Sequence, residues 1–431
     1  MSAPPSPATP TPTEVVRKME LNEGSLEVAV WGCKTCSEIS TRAEQRNDTQ
    51  LMIRLLDEGV CEVLVKAMNN FCEVSVEVAA YACQSIEVLA RASRDLREFL
   101  GELGACELVI YALSLHVGNP GISEYGAAAV RELADGNISN SYRLAAAGAC
   151  DVLVQTGNFG FNLRHPRSGS VSANVCEAIS QLCEASNRTK LYDSGACEVV
   201  VNLLRFHVND VIVARATLTA ICGLASMTDA IRSALSQCKC SPLIVDAAHV
   251  HSGDDTVLLK ACEAAMHLSL LPSNAVQLES AGGCEMLAGA LGGLLMEKDF
   301  GPEVCCSAML QIVQNSGLPG SIAVVSAKVK LINADAVSIL KRVAFSSRAT
   351  QRAREHAKDL LHMLQDYNPS HAGAATSAAT AAKKAADKES TIRNEKADEH
   401  EVEPTRERHD SLLLIDGGNA DADDSDGAFE M

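Results

Sequence analysis

Cysteine and histidine are the residue types of this sequence whose spacing comes nearest to a metal or redox site. Cys33 and Cys36 form a C-x-x-C pair, which could be redox-active or could supply half of a zinc site. A zinc site needs a second such pair at suitable spacing, and the sequence has none. Because the pair lies in a segment with helical apolar spacing, we interpret both residues as packing residues.

A second cluster contains Cys238, Cys240, His249 and His251. On one helix the cysteine pair and the histidine pair would lie about nine residues apart, which is roughly 14 Å at ~1.5 Å per residue. Residues two apart on a helix also face different directions. These four side chains could not close around one ion, so we predict no metal and no cofactor.

The sequence also lacks the short motifs of catalysis and nucleotide binding. It has no P-loop, dinucleotide fingerprint, nucleophile elbow or His-Glu-x-x-His motif. Its 11 histidines are scattered, and its acidic residues lie mainly at solvated helix positions. We therefore predict that the protein is not an enzyme and has no catalytic residues.

The charge balance restricts the class of partner. The chain has 37 Lys and Arg residues against 55 Asp and Glu residues, which gives a formal net charge of −18. Nucleic-acid binding requires clustered cations and is disfavoured, whereas long-range electrostatics favour a basic protein partner. No apolar run approaches the roughly 18 residues of a membrane span, so we expect no integral membrane contact.

The 17 cysteines would suit a disulfide-rich secreted protein, but the N-terminus has neither a basic start nor an apolar export segment. We therefore expect reduced thiols and a cytoplasmic location, with cytoskeletal or ciliary association left open.

The elements that position these residues are internal repeats. A Gly-x-Cys phrase, followed by an acidic residue and an aliphatic run, occurs five times, and its glycines are Gly59, Gly104, Gly148, Gly195 and Gly282. With the degenerate copy at Cys240, the cysteine spacings are 45, 44, 47, 43 and 44 residues. A further copy without cysteine begins at Asp335.

A second apolar phrase closes 27 to 32 residues after each of these cysteines. Its closing residues are Leu89, Leu133, Leu182, Leu224, Leu268 and Ile312. The apolar spacing within each run is helical. Each unit therefore predicts a short helix, a glycine turn with positive φ, a second helix, a loop and a longer third helix. We interpret the repeated cysteine as a small buried wedge.

These phrases resemble the armadillo repeat, whose second helix begins with a Gly-Ala phrase and whose third helix ends in Ala-Leu-x-Asn-Leu-Ala. The period lies in the armadillo range. The resemblance covers about residues 14–367. It implies an all-α fold, namely a right-handed superhelical solenoid of about seven armadillo repeats with an orphan N-terminal helix, which we expect from the single run between Glu14 and Ala43.

Both ends of the chain have a different composition. Residues 1–13 are Pro-rich, and residues 368–431 are Ala-rich and then acidic, so we predict that both segments are disordered. One apolar island interrupts the acidic part and contains Asp410, Leu412, Leu413, Leu414 and Ile415. It is either a short linear motif that folds on binding or an incidental leucine run.

In armadillo proteins the third helices line a concave groove. Two columns of the aligned third helices give the candidate partner-binding residues Glu132, Glu177, Gln181, Glu263, His267 and Gln311. We expect the three glutamates to face solvent. They either form a track for Lys and Arg side chains of an extended or helical partner segment or merely keep the solenoid soluble.

The resemblance also discriminates between branches of the family. Nuclear-import adaptors carry Trp and Asn in these columns, and no such pair occurs here, so that branch is disfavoured. The chain is more similar to cytosolic armadillo adaptors and scaffolds and to ciliary armadillo proteins. This similarity implies a protein-binding scaffold or, as the alternative, a structural element of a larger ciliary or flagellar assembly; the oligomeric state is not predicted.

Overall fold

The structure is a computed structural model, and it describes residues 10–161, 165–183, 187–293, 295–296 and 298–365. These ranges contain 23 α-helices and no β-strand. The predicted linear motif at Asp410–Ile415, the predicted tail of residues 368–431 and the first nine residues lie outside the described residues.

From α3 onward the helices follow the predicted order of a short first helix, a second helix and a longer third helix. The first helices are α3 (Thr49–Asp57), α6 (Arg94–Glu102), α9 (Ile138–Ala146), α12 (Arg188–Asp193), α15 (Asp229–Gln237), α18 (Pro272–Ser280) and α21 (Ile322–Asn333). The second helices are α4 (Val60–Phe71), α7 (Ala105–Leu115), α10 (Ala149–Phe159), α13 (Ala196–Phe206), α16 (Cys240–Val250), α19 (Gly283–Gly292) and α22 (Ala336–Ala344). The third helices are α5 (Val76–Ala92), α8 (Pro120–Ala134), α11 (Ser168–Gln181), α14 (Val211–Met227), α17 (Asp255–Leu268), α20 (Gly301–Asn315) and α23 (Gln351–Gln365).

Each third helix packs against the third helix of the next unit, and the second helices stack in parallel order. The predicted all-α armadillo-type solenoid is therefore confirmed.

The N-terminal end differs from the predicted single orphan helix, because two helices lie there: α1 (Pro12–Leu21) and α2 (Leu26–Gln45). α2 packs on α5 in the third-helix row, and α1 packs on α4 in the second-helix row. Thr11 and Glu14 form a capping box around Pro12, so the first helix starts two residues before residue 14. The sequence pattern did not predict that the first helix would end before Asn22 and that a second helix would follow it.

The turn before each second helix has the predicted left-handed backbone. Gly148 has φ 94°, and the other four phrase glycines have φ between 85° and 95°. In the two degenerate units, Lys239 and Asp335 take this place with φ 59° and 58°, values that L-residues tolerate better. The cysteine that follows each of the five phrase glycines is buried, as predicted, and so is Cys240 after Lys239.

Polar side chains also join consecutive units. Nε2 of His116, His207 and His251 lies 2.7, 2.7 and 2.8 Å from a backbone carbonyl oxygen of the preceding unit. Since a carbonyl only accepts, each Nε2 carries the proton. Arg143 and Lys190 donate at 3.0 and 2.8 Å to carbonyl oxygens at the C-terminal ends of preceding first helices, where a cation is favourable.

Candidate functional site

The exposed side chains of α2 and of the seven third helices form one continuous surface, which we call the third-helix face. All six candidate residues lie on helices of this face. The structure shows an ion-pair network on the N-terminal half of this face and one groove near each of its ends.

This network, which we call the charge ladder, crosses α2, α5, α8 and α11. It consists of Glu44, Glu87, Arg91, Arg131, Glu132 and Glu177. Arg91 lies 2.7 Å from Glu44 and 3.0 Å from Glu132, and it also contacts Glu87. Arg131 lies 2.7 Å from Glu132 and 2.6 Å from Glu177. Each arginine thus binds carboxylates on at least two helices.

The expectation that Glu132 faces solvent is wrong. Only 9% of this residue is exposed, and Arg91 and Arg131 both donate to its Oε1. Glu177 is more exposed, but Arg131 occupies its Oε2. The aligned columns missed both arginines because they lie one residue and three residues outside them, and the rotation of each helix brings them to the carboxylates.

Burial controls the ionisation of the ladder. Desolvation raises the pKa of Glu87, even though Arg91 and Arg131 pull that pKa down. For Arg91, desolvation opposes the charge, but the bond to Glu132 and the nearby carboxylates outweigh it and raise the pKa. The arginines therefore stay protonated, and the ladder has four carboxylates against two guanidinium groups.

The C-terminal groove lies between α17, α20 and α23 and has a volume of about 820 Å³. It brings together three of the six candidate residues, Glu263, His267 and Gln311. Its apolar lining comes from Met266, Val304 and Phe300, and its other polar lining residues are Glu303, Ser307, Arg352, Glu355 and His356. The phenyl ring of Phe300 is unusually available, since 65% of that residue is exposed.

The polar groups of this groove are partly engaged. Glu263 lies 2.7 Å from Nζ of Lys260. Gln311 accepts a hydrogen bond from Ser269 at 2.9 Å and donates one to Ser307 at 3.3 Å, which fixes its amide. Burial lowers the pKa of His267, with Glu263 opposing this shift. The groove lining contains three carboxylates and one guanidinium group, so its local charge is negative.

The N-terminal groove lies between α2 and α5 and has a volume of about 470 Å³. Lys34, Arg42 and Arg46 line it, with Glu38 as the acidic residue and with Tyr81, Gln84, Ser37, Thr41 and Gln45 as uncharged neighbours. None of these residues is among the six candidates predicted from the sequence. The sequence does contain a signal for this groove, because its four charged residues recur every four positions, at 34, 38, 42 and 46, and so share one helical face.

Gln181 lies half-buried at the end of α11, outside both grooves. The structure therefore separates the candidates into two on the ladder, three in the C-terminal groove and this one between them.

The cysteine and histidine clusters have packing roles. Cys33 and Cys36 are buried, and burial raises the pKa of Cys33 to about 12. His249 and His251 each bind a backbone carbonyl oxygen, at 2.9 and 2.8 Å. Across the described ranges, no group of three or more His, Cys, Asp or Glu side chains could hold a metal ion. No helix in these ranges has the length and apolarity required to cross a membrane.

An armadillo-type solenoid with two charged grooves on one face is the class of molecule that these observations define. No protein-family model matches the sequence, and a search of curated proteins finds no match. Among solved structures, the chain is similar to an engineered protein from the Northeast Structural Genomics Consortium, with a TM-score of 0.65 and 19% identity over 83% of this chain and 79% of that chain.

Two designed proteins match a shorter part. One is described as computationally designed armadillo repeat proteins for modular peptide recognition, with a TM-score of 0.48, 21% identity and coverage of 59% of this chain and 98% of that chain. The other is a designed armadillo repeat protein in complex with the peptide (KR)4, with a TM-score of 0.48, 20% identity and the same coverages. At 19% identity, the match with the TM-score of 0.65 shows the fold alone.

Proposed function

We propose that this protein is a non-catalytic scaffold of the cytosolic armadillo adaptor type, which holds a segment of a partner protein on its third-helix face. The observation that carries the proposal is the C-terminal groove, where Phe300 is 65% exposed beside a cavity of about 820 Å³. A pocket with an apolar anchor and a few convergent polar groups is typical of a binding site.

The groove favours a segment that combines an apolar side chain with Lys or Arg. Phe300, Met266 and Val304 offer apolar contact, while Glu303 and Glu355 add negative charge to that of Glu263. Exposed charge pairs contribute only about 0.2–1 kcal/mol each, so the apolar contact must supply much of the affinity. Large, rigid aromatic residues often dominate such interfaces.

A peptide-display selection tests this proposal, with the full chain as bait and a random library of about 24 residues, long enough to span the face at roughly 3.3 Å per residue. We expect enrichment of peptides in which an apolar residue adjoins Lys or Arg. The variant Phe300→Ala should weaken the enriched peptides about tenfold, because it removes the apolar anchor.

Phe345→Ala is the matched control, since Phe345 is 84% exposed and lies outside the lining of the C-terminal groove. Both variants should retain the wild-type helical circular dichroism and melting temperature. Equal binding by the wild type and Phe300→Ala, or no enrichment of the basic and apolar combination, would contradict the proposed function.

A second candidate function is a structural role in a larger assembly such as a ciliary or flagellar complex. It is favoured by exposed apolar residues at or just after the C-terminal ends of second helices, among them Val74 (71% exposed), Leu115 (44%) and Val117 (48%). If these exposed residues form the assembly contact, the triple variant Val74→Ser, Leu115→Ser, Val117→Ser should reduce the molecular mass at which the protein elutes from cell extract in gel filtration. Phe300→Ala would then leave that mass unchanged.

A further inference from the structure

The two grooves of the third-helix face have opposite local charge. Lys34, Arg42 and Arg46 against Glu38 make the N-terminal groove positive, and Glu263, Glu303 and Glu355 against Arg352 make the C-terminal groove negative. This contrast lies within one continuous row of helices in a chain whose formal net charge is −18. The positive patch is therefore local and cannot result from the overall composition.

Two of the three basic groups of the N-terminal groove are available to a ligand. Lys34 and Arg46 are exposed, and neither forms an ion pair with another described residue. The groove also offers the phenol of Tyr81 and the amide of Gln84, whose Oε1 accepts a hydrogen bond of 2.6 Å from Ser37. That bond leaves the Gln84 amide N–H groups able to donate.

The charge ladder begins on the two helices of the N-terminal groove and continues to α11, and both of its arginines are already bound by its own carboxylates. Arg91 and Arg131 bind four carboxylates from their own and adjacent helices, and Glu132 is almost fully buried. A ligand that competed for these groups would have to break existing ion pairs. Electrostatic selection should therefore act at the two ends of the face.

We infer that the N-terminal groove binds an Asp- and Glu-rich stretch of the same partner segment whose basic and apolar stretch occupies the C-terminal groove. This inference rests on the proposed function and adds that the bound segment is charge-asymmetric, which fixes its direction along the face. Complementary charge at both ends would also reject the reversed orientation, in which like charges meet.

The spacing of the helices sets the length of this segment. The N-terminal groove lies between α2 and α5, and the C-terminal groove is centred on α20. Along the row of third helices, α20 lies six helix-to-helix steps from α2 and five steps from α5. Interaxial distances of ~8–10 Å give roughly 45–55 Å. An extended chain covers this distance in about 13–17 residues at ~3.3 Å per residue. The acidic and basic stretches of the partner should be separated by this number of residues.

The peptide-display selection tests the inference when it is repeated with the double variant Lys34→Glu, Arg46→Glu. We expect peptides enriched on the wild type to carry Asp or Glu about 13–17 residues from their basic and apolar stretch. On the double variant the acidic preference should disappear, while the basic and apolar preference remains. By fluorescence anisotropy, an enriched peptide should bind the double variant about tenfold more weakly at low salt.

The matched control is Arg17→Glu, Lys341→Glu, which changes the net charge equally at exposed residues of α1 and α22, in the second-helix row. We expect this control to bind the same peptide as the wild type does. An equal loss in both double variants would show a net-charge effect only and would overturn the inference.

The outcomes separate the two proposals. Two outcomes overturn this inference and leave the proposed function standing. In the first, the enriched peptides carry the basic and apolar stretch but no acidic stretch. In the second, the acidic stretch is still enriched on the variant Lys34→Glu, Arg46→Glu. Absence of the basic and apolar enrichment overturns the proposed function and, with it, the single two-groove segment. Unchanged helical circular dichroism of each variant confirms that folding is intact.

Discussion

Nε of Arg91 on α5 lies 3.0 Å from Oε1 of Glu132 on α8. These residues are 41 positions apart in the chain. The sequence predicted a solvent-exposed Glu132, either as part of a track for the cations of a partner or as a solubilising charge. The solenoid instead supplies a cation itself. The pair therefore joins α5 to α8, and it leaves the two grooves as the proposed binding sites of the third-helix face.

Glu132→Ala should lower the free energy of unfolding by about 1–3 kcal/mol, because it removes a buried acceptor of charge-assisted hydrogen bonds from two arginines. Urea unfolding followed by circular dichroism measures this change. Glu38→Ala is the control, since Glu38 is exposed on α2 and should change stability by no more than about 0.5 kcal/mol. Similar losses in both variants would mean that the ladder adds no specific stability.

Gly148→Ala should cost about 1–2 kcal/mol through backbone strain alone. Gly148 has φ +94°, and a Cβ there would meet no atom within 4 Å, so steric crowding adds nothing. Gly253→Ala provides the control, because a Cβ there also meets open space while the backbone lies outside the left-handed region. Thermal unfolding gives the melting temperature of each variant. If Gly148→Ala melted at the same temperature as Gly253→Ala or at a higher one, the left-handed turn at Gly148 would be wrongly assigned.

His267 should make stability fall as the pH falls through 6.5. Burial holds its folded-state pKa below that value, and Arg232 and Lys260 act in the same direction while Glu263 opposes them. The neutral ring favours folding, so its contribution is present above the unfolded pKa and is lost as the pH falls through the folded pKa.

His267→Gln should therefore show a smaller loss of unfolding free energy than the wild type across this pH range. Chemical unfolding at a series of pH values gives the comparison. A parallel loss in both proteins would assign the pH dependence to other groups.

Thiol reactivity should be confined to two positions in the native protein. Of the 17 cysteines, Cys183 and Cys238 are half-buried and the rest are buried. Burial raises the pKa of Cys61 to about 12 and that of Cys150 to about 11, and the thiolate is the reactive species.

Iodoacetamide near neutral pH, followed by peptide mass spectrometry, should modify Cys183 and Cys238 in the folded chain and all the cysteines in urea. Cys238→Ala removes one of these sites and checks the assignment. Native labelling of Cys61 at the rate seen in urea would contradict the packing role of the repeated cysteine.

Much of the fold could be predicted because its determinants recur locally. The Gly-x-Cys phrase predicted the positive φ of Gly148 and the burial of the cysteines that follow such glycines, and the structure confirms both. The extra helix α1 was missed because it lacks this phrase. Its start depends on the capping box of Thr11 and Glu14, which is a local signal of another kind.

The candidate site was less predictable, since the alignment columns recorded residue type without the rotation of each helix. Glu263, His267 and Gln311 do share a groove, but Phe300 joins them from the segment before α20. No repeat phrase marks Phe300.

The sequence by itself determined the repeat period, the helix types and the glycine turns, because hydrophobic periodicity and backbone sterics act within a few residues. Only the tertiary structure decided which charges are neutralised. Arg91 reaches Glu44 and Glu132, and Arg131 reaches Glu177, over sequence separations of 41 to 47 residues that are fixed by the packing of successive helices. That packing pairs the charges of the ladder and leaves opposite charges in the two grooves near the ends of the face.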